Sequence, residues 1–325
     1  MEETLKSLLK YLHVLLTLII LISFGEVTFA QGKDIKFKRI TIEDGLSQTT
    51  VNDIYQDNQG YIWIATADGL NRYDGKKFKV YKYKDGKNVT IPSDYICKVA
   101  EDKDENLWVA TNKGLSKISK DRKKIHNYVS DIRDENSLSH YNVRHVLVDS
   151  KDRLWVGTEQ GLNLYDRKKN KFYRFYVEGL SDEYNIENYI LTIEEDKDGV
   201  IWVGTKKGAY FLDKEKKVLK NFEGIGTEEH INNIYTLSNG DILFAIKDNG
   251  FKKYNKKEES VKEFKNNEGN KNLLPHNSVE TILEDFDGNL WVGTKDGIAV
   301  QRKGENNFQH YVHKEYDPKS LSNNY

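Results

Sequence analysis

From residue 51 onward, short apolar segments alternate with polar turns along this chain, and the alternation repeats. Each unit opens on an apolar stretch: 51–56, 96–101, 143–148, 190–195, 231–236 and 279–284. A polar turn follows, such as Asp57-Asn58-Gln59-Gly60 or Asp285-Phe286-Asp287-Gly288. Next comes a run of the type Tyr61-Ile62-Trp63-Ile64-Ala65-Thr66, then a tight turn ending in Gly69, Gly114, Gly161, Gly208, Gly250 or Gly297. A third segment such as 70–73 or 162–165 leads through a Lys/Asp/Asn turn into a fourth, such as 78–81, 172–176 or 307–311. Short β-branched and aromatic runs bounded by Gly, Asn and Asp read as strands joined by hairpins. The first segment of each unit reads apolar-x-x-apolar-x-x-Asp in most copies, which is not clean alternation and predicts a bulge or a bend.

All five tryptophans, Trp63, Trp108, Trp155, Trp202 and Trp291, occupy one position of this unit, spaced 45, 47, 47 and 89 residues apart. The long gap holds a weakened copy, 240–246, with Leu243 in the tryptophan's place. A period of roughly 40–50 residues fits a propeller blade. The expectation is an all-β chain: a β-propeller of four-stranded antiparallel blades, with indole rings wedged between neighbouring blades. Six complete blades are expected at about 51–81, 95–128, 142–176, 189–222, 231–264 and 278–312. The small residue behind each tryptophan (Ala65, Ala110, Gly157, Gly204, Ala245, Gly293) would let adjacent sheets approach. Residues 35–40 read as a fourth strand without its other three, and 317–325 resembles the lead-in at 135–142. Together these predict a truncated seven-bladed ring whose last blade starts at 317–325, closed so that no sheet edge is left open. Blade five, lacking tryptophan and threonine, is expected to pack loosely.

Composition narrows function mainly by exclusion. Fifty basic against 51 acidic side chains, a net charge of -1, give no field that favours nucleic acid. Lysine runs such as 214–217 read as solvated outer turns. The single cysteine, Cys97, excludes an intramolecular disulfide framework and reads as a small buried side chain. Residues 1–30 read as a secretory signal peptide: Lys6 and Lys10 precede an apolar run from Val14 to Phe24, and Thr28-Phe29-Ala30 offers a cleavage site. Cleaved, or kept as an anchor, that segment places the propeller, 31–325, outside the cytoplasm.

The unit Asp57-x-x-Gly60, Trp63-Ile64-Ala65-Thr66, Gly69-Leu70-Asn71-Arg72-Tyr73-Asp74, with its lead-in Asp44-Gly45-Leu46-Ser47, resembles the repeat of the two-component regulator propeller family. The resemblance covers essentially residues 35–325. It implies an extracytoplasmic sensor propeller of a membrane-bound bacterial phosphorelay protein, with a cytoplasmic output such as a histidine kinase or diguanylate cyclase encoded downstream. Partners would then be a small-molecule ligand, the downstream domains of the same protein and, in the full-length protein, a second copy. No catalytic motif appears in this chain itself, so it reads as a non-enzyme without a cofactor; a propeller lyase with His276 or His230 as base is the alternative, and a protein–protein platform a third reading.

Candidate ligand residues lie on the loops that lead into each first strand: Gln48, Asp94, Tyr95, His140, Tyr141, Asn142, Asn188, Tyr189, His230, His276 and Asn277. Rings that stack on sugar faces beside amides that read hydroxyls suit an oligosaccharide at a concave mouth. His140, His230 and His276 lie on different blades and lack metal-site spacing. Asp285-Phe286-Asp287-Gly288-Asn289 and Asp196-Lys197-Asp198-Gly199 look like the start of a calcium loop but lack its twelve-residue frame and closing glutamate, so they read as hairpin turns. Neither a metal nor a cofactor is expected.

Overall fold

A computed structural model describes residues 35–85, 90–180, 185–266 and 273–324. The signal-peptide reading of 1–30 lies outside the described residues. The chain divides into residues 1–37 and residues 38–325, and all the strands belong to the second unit.

Twenty-four strands form six four-stranded sheets, each an antiparallel meander in sequence order. The first strands are Val51–Gln56, Ile96–Glu101, Val143–Val148, Ile190–Glu195, Ile231–Thr236 and Val279–Glu284. They pack side by side in succession from the first blade to the sixth, which makes them the inner strands of a propeller. Every first strand slips register against its second strand between its first and third residues, as at Val51/Asp53 and Val143/His145. The bulge read from the sequence is therefore a property of all six blades.

The core is not inside each sheet but between sheets. Trp63 clusters with Ile91, Ile96, Val99, Leu107 and Val109 of blade two. Trp108 does the same with Val143, Val146, Leu154 and Val156 of blade three, and Trp155 with Ile190, Ile193 and Val203 of blade four. Trp202 meets Ile231, Ile234 and Phe244 of blade five. Trp291, with no blade packed on its outer side among the described residues, is only partly buried. A Cβ placed on Gly157 would lie 2.5 Å from Ile190 Cγ2, and one on Gly204 would lie 2.7 Å from Ile231 Cγ2. These positions are small because the next blade's inner strand already occupies the space.

Each tryptophan is also fastened by a hydrogen bond. The indole N–H of Trp63, Trp108, Trp155, Trp202 and Trp291 donates to Asp57, Asp102, Asp149, Asp196 and Asp285 at 2.8–2.9 Å. The other carboxylate oxygen of the same aspartate accepts two backbone N–H groups of its own turn, as Asp285 does from Asp287 and Asn289. Burial opposes ionisation of Asp285, but the bonds from Trp291 and Asn289 outweigh it and hold the carboxyl at about 2. The calcium-like sequences are therefore turns whose leading carboxylate is spent on N–H donors. Among the described residues, no three His, Cys, Asp or Glu side chains are grouped to hold a metal ion, and no helix is long and apolar enough to cross a membrane.

The ring has an opening between blades six and one. Val51 and Ile54 are 41% and 64% exposed, whereas their counterparts Ile96 and Val99 are 0% and 2% exposed. Residues 38–40, expected to continue an outer strand, carry no strand, because no third strand lies beside them to supply a ladder. They are nonetheless placed as an outer strand would be. Arg39 donates to Asp317 O, Ser320 Oγ and Leu321 O at 3.2, 3.4 and 3.0 Å. Arg174, on the outer strand of blade three, grips Asp134 O, Ser137 Oγ and Leu138 O of its own blade's lead-in in the same way.

Candidate ligand-binding site

In a four-stranded meander, the lead-in loops and the turns joining second to third strands lie at one end of the strands. The remaining turns lie at the other. All the candidate ligand residues read from the sequence fall at the first end, but they do different work there.

One group caps its own loop. The backbone N–H two residues on donates to Gln48 Oε1, to His140 Nδ1 (3.2 Å) and to His276 Nδ1 (2.8 Å), as Tyr95 N–H donates to Ser93 Oγ (3.1 Å). An imidazole that accepts at Nδ1 carries its proton on Nε2. Burial pushes the His140 pKa down, more than Glu159 pulls it up, so this ring is neutral at physiological pH. A second group ties each loop to the end of the preceding blade. Asp94, Asn188 and Asn277 accept from the backbone N–H of Tyr83, Val177 and Asn266 at 2.6, 2.9 and 2.7 Å. Asn324 repeats the bond with His313 N–H. Asn188 is fully buried by this role.

The remaining candidates Tyr141, Asn142, Tyr189 and His230 gather around blades three to five. Tyr189 donates its hydroxyl to Glu159, and Asn142 Nδ2 donates to the same Glu159 oxygen at 2.6 Å. The Lys206 ammonium stands 3.6 Å from the centre of the Tyr189 ring. Burial, and then the bond to Glu159, push the Tyr189 pKa up. His230 is held below its usual value by burial and then by Lys247 and Lys206. Arg144 sits behind this group; burial opposes its charge, but Cys97, Tyr189, Tyr95 and Glu159 around it favour it more. Burial pushes the neighbouring Cys97 thiol up to about 11, which leaves it inert as a nucleophile. Glu159, Asn185, Ile186, Tyr189 and Lys206 line a cavity of about 520 Å³. Tyr141, 56% exposed, stands on the same face with its ring 4.2 Å from that of His140.

The structure thus joins Asn142 and Tyr189 on Glu159, of which Tyr189 and Glu159 line the cavity, and commits Gln48, Asp94, Asn188, His276 and Asn277 to holding loops. Sequence reasoning missed Glu159, Lys206 and Arg144. Glu159 and Lys206 occupy the same turn slot as Ala67, Asn112 and Lys295, between a fixed threonine and a fixed glycine. A slot free to change charge inside a fixed turn on the lead-in face was the available signal.

Fold and site define a β-propeller of repeated four-stranded blades with a polar cavity on its lead-in face. Its repeat matches a known family model: residues 45–68, 90–113, 137–160, 186–207 and 273–296 match the family described as two component regulator propeller. Blade five, without the tryptophan, falls outside the matched segments. The chain is similar to the extracellular domain of BT3049 from B. thetaiotaomicron, described as a hybrid two component system. The two are 26% identical with a TM-score of 0.76, over 89% of this chain and 38% of that one. A 65-residue stretch is 48% identical to histidine kinase P4 of Formosa agariphila, covering 20% of this chain and 5% of the kinase. The chain therefore spans much less than two thirds of either signalling relative. Virginiamycin B lyase from Staphylococcus aureus shares the fold, with a TM-score of 0.65 at 13% identity over 86% of this chain and 88% of the lyase.

Proposed function

We propose that this chain is the extracytoplasmic sensor propeller of a transmembrane two-component signalling protein, and that it captures an oligosaccharide at the Tyr189–Glu159–Lys206 cavity. Two findings support the first part: the repeat family, and a similar chain that is the extracellular domain of a protein described as a hybrid two component system. The observation that carries the second part is the cavity lining. It offers an amide, a carboxylate, a phenol and an ammonium within one concave patch, which is a hydroxyl-reading set. Exposed Tyr141 supplies a ring face on the same loop cluster. Capture would act on partner domains only through a difference in affinity between two states of the whole protein.

Calorimetric titration with neutral and acidic oligosaccharides tests the reading. Saturable binding is expected for at least one class, weakened tenfold or more by Lys206→Ala and Tyr189→Ala and unchanged by His276→Ala. Flat titrations across the panel would remove the oligosaccharide reading, and turnover of a bound sugar would replace a sensor by an enzyme.

A further inference from the structure

Blade five carries a second feature at the opposite end of the strands. Its sequence replaces both members of the aspartate–indole bond at once: Leu237 stands where the other blades have aspartate, and Leu243 where they have tryptophan. In three of the five blades that carry it, the aspartate has a further partner, a cation from the next blade's turn between third and fourth strands. Arg122 reaches Asp57 at 2.9 Å, Arg167 reaches Asp102 at 3.4 Å and Lys256 reaches Asp196 at 2.7 Å. In blade six this place belongs to Lys303, which follows Gln301-Arg302 as Arg167 follows Tyr165-Asp166 and Lys256 follows Tyr254-Asn255, and Arg302 stands directly before it. With Leu237 opposite, no carboxylate awaits it. Among the described residues, the half-buried Arg302 side chain has no ion-pair or hydrogen-bond partner.

The paired replacement leaves a cavity of about 600 Å³ between blades five and six. Leu237, Leu243, Leu290 and Phe308 form its apolar part, with Arg302 and Lys303 among the charged side chains around them, the carboxylates of Glu263, Glu284 and Glu305 included. Glu284 is taken up by the backbone N–H and hydroxyl of Ser238 at 2.6 and 2.9 Å and Glu263 by Lys265 at 2.9 Å, and neither these nor Glu305 pairs with Arg302. A hydrocarbon floor with one unspent guanidinium at its edge fits a ligand with an apolar body and a single carboxylate, which guanidinium binds through two parallel N–H bonds. A neutral apolar ligand would leave the guanidinium unpaired, and a polar anion would leave the floor empty.

We propose that this cleft binds an amphipathic carboxylate, its aryl or alkyl part on Leu237, Leu243 and Phe308 and its carboxylate on Arg302. The site lies at the other end of the strands from the Tyr189 cavity, so the two proposals stand or fall separately. The test is calorimetric titration of the purified chain with 2-naphthoate and with its neutral counterpart, 2-naphthalenemethanol. Saturable one-to-one binding of the carboxylate is expected, with the alcohol at least tenfold weaker. Arg302→Gln should weaken naphthoate tenfold or more. The double variant Leu237→Asp/Leu243→Trp, which installs the pair found in the five other blades, should abolish binding while keeping the circular dichroism spectrum and melting temperature at or above those of the parent. Absence of saturable binding, equal affinity for acid and alcohol, or undiminished binding in either variant would overturn the proposal.

Discussion

If the indole rings hold neighbouring blades together, then removing one should cost much more inside the ring than at its open flank. Trp155 is 1% exposed and is enclosed by Ile190, Ile193, Ile201 and Val203 of blade four. Its N–H donates to Asp149 at 2.9 Å, and the Arg153 guanidinium lies 5.2 Å from its ring centre. Truncation to alanine leaves an indole-sized void that the two sheets cannot close. They already touch at Gly157, where a Cβ would lie 2.5 Å from Ile190. A cavity that cannot collapse puts the cost at the top of the usual range for aromatic core deletions, about 4–5 kcal/mol. Asp149 loses one donor but keeps Arg153 at 2.5 Å, so its carboxylate is not stranded. Trp291 makes the same bond, to Asp285 at 2.8 Å, but is partly exposed. Trp291→Ala should cost about 1–2 kcal/mol, because the ring loses contacts on one side only. Urea denaturation of the parent and both variants, followed by circular dichroism so that lost indole fluorescence does not enter, gives the comparison. Trp155→Ala should exceed Trp291→Ala by about 2 kcal/mol or more. Equal losses would refute the wedge, since the rings would then be stabilising their own sheets.

Two further outcomes follow from the same packing. Gly157→Ala should destabilise by about 1–3 kcal/mol through overpacking against Ile190, measurable in the same denaturation experiment, and a neutral result would show that the blades can part there. Glu194 is held at about 7 by burial first, with bonds from Thr236 and the charge of Lys98 opposing. Folding therefore keeps a proton that the unfolded chain releases above about 4.5, so this residue's contribution falls as pH rises from about 4.5 to 7 and stays lower above that. Glu194→Gln should match the parent at pH 4 and exceed it by about 1–3 kcal/mol at pH 8; a difference of the same size at both pH values would contradict the assignment.

The fold was legible because each strand announces itself twice, by β-branched residues within and Gly or Asn beyond, and because the copies agree. Even the bulge showed, since a one-residue insertion displaces every later apolar position of a strand. The aspartate–indole bond was hidden. Asp57 and Trp63 are six residues apart, each has a sufficient reason of its own to be present, and nothing local links a turn residue to a ring. The sign that they act together is blade five, where Leu237 and Leu243 replace both partners in one step. The grip of Arg39 on residues 317–321 was half visible: the strand-like composition of 35–40 pointed to it, but only the geometry of Arg174 on residues 134–138 shows which contact is being repeated.

The site was less legible, and for a reason particular to repeats. A polar residue on a lead-in loop looks available for a ligand, yet Asp94, Asn188 and Asn277 make one bond to the preceding blade, and His140 and His276 cap their own loops. Such residues vary in identity because several side chains can accept the same backbone N–H, so variation among copies does not by itself mark a binding residue. What separates the two cases is whether the side chain still performs the shared task. Tyr189, Glu159 and Lys206 perform none of the loop-holding bonds and instead bind one another around a cavity. At the other end, Leu237 leaves the blade-six turn cations Arg302 and Lys303 without the carboxylate that Arg122, Arg167 and Lys256 reach. In a ring of near-identical blades, these departures from the shared bonding scheme coincide with two cavities, one at each end of the strands, and those are places where this chain can differ in function from another chain with the same repeat.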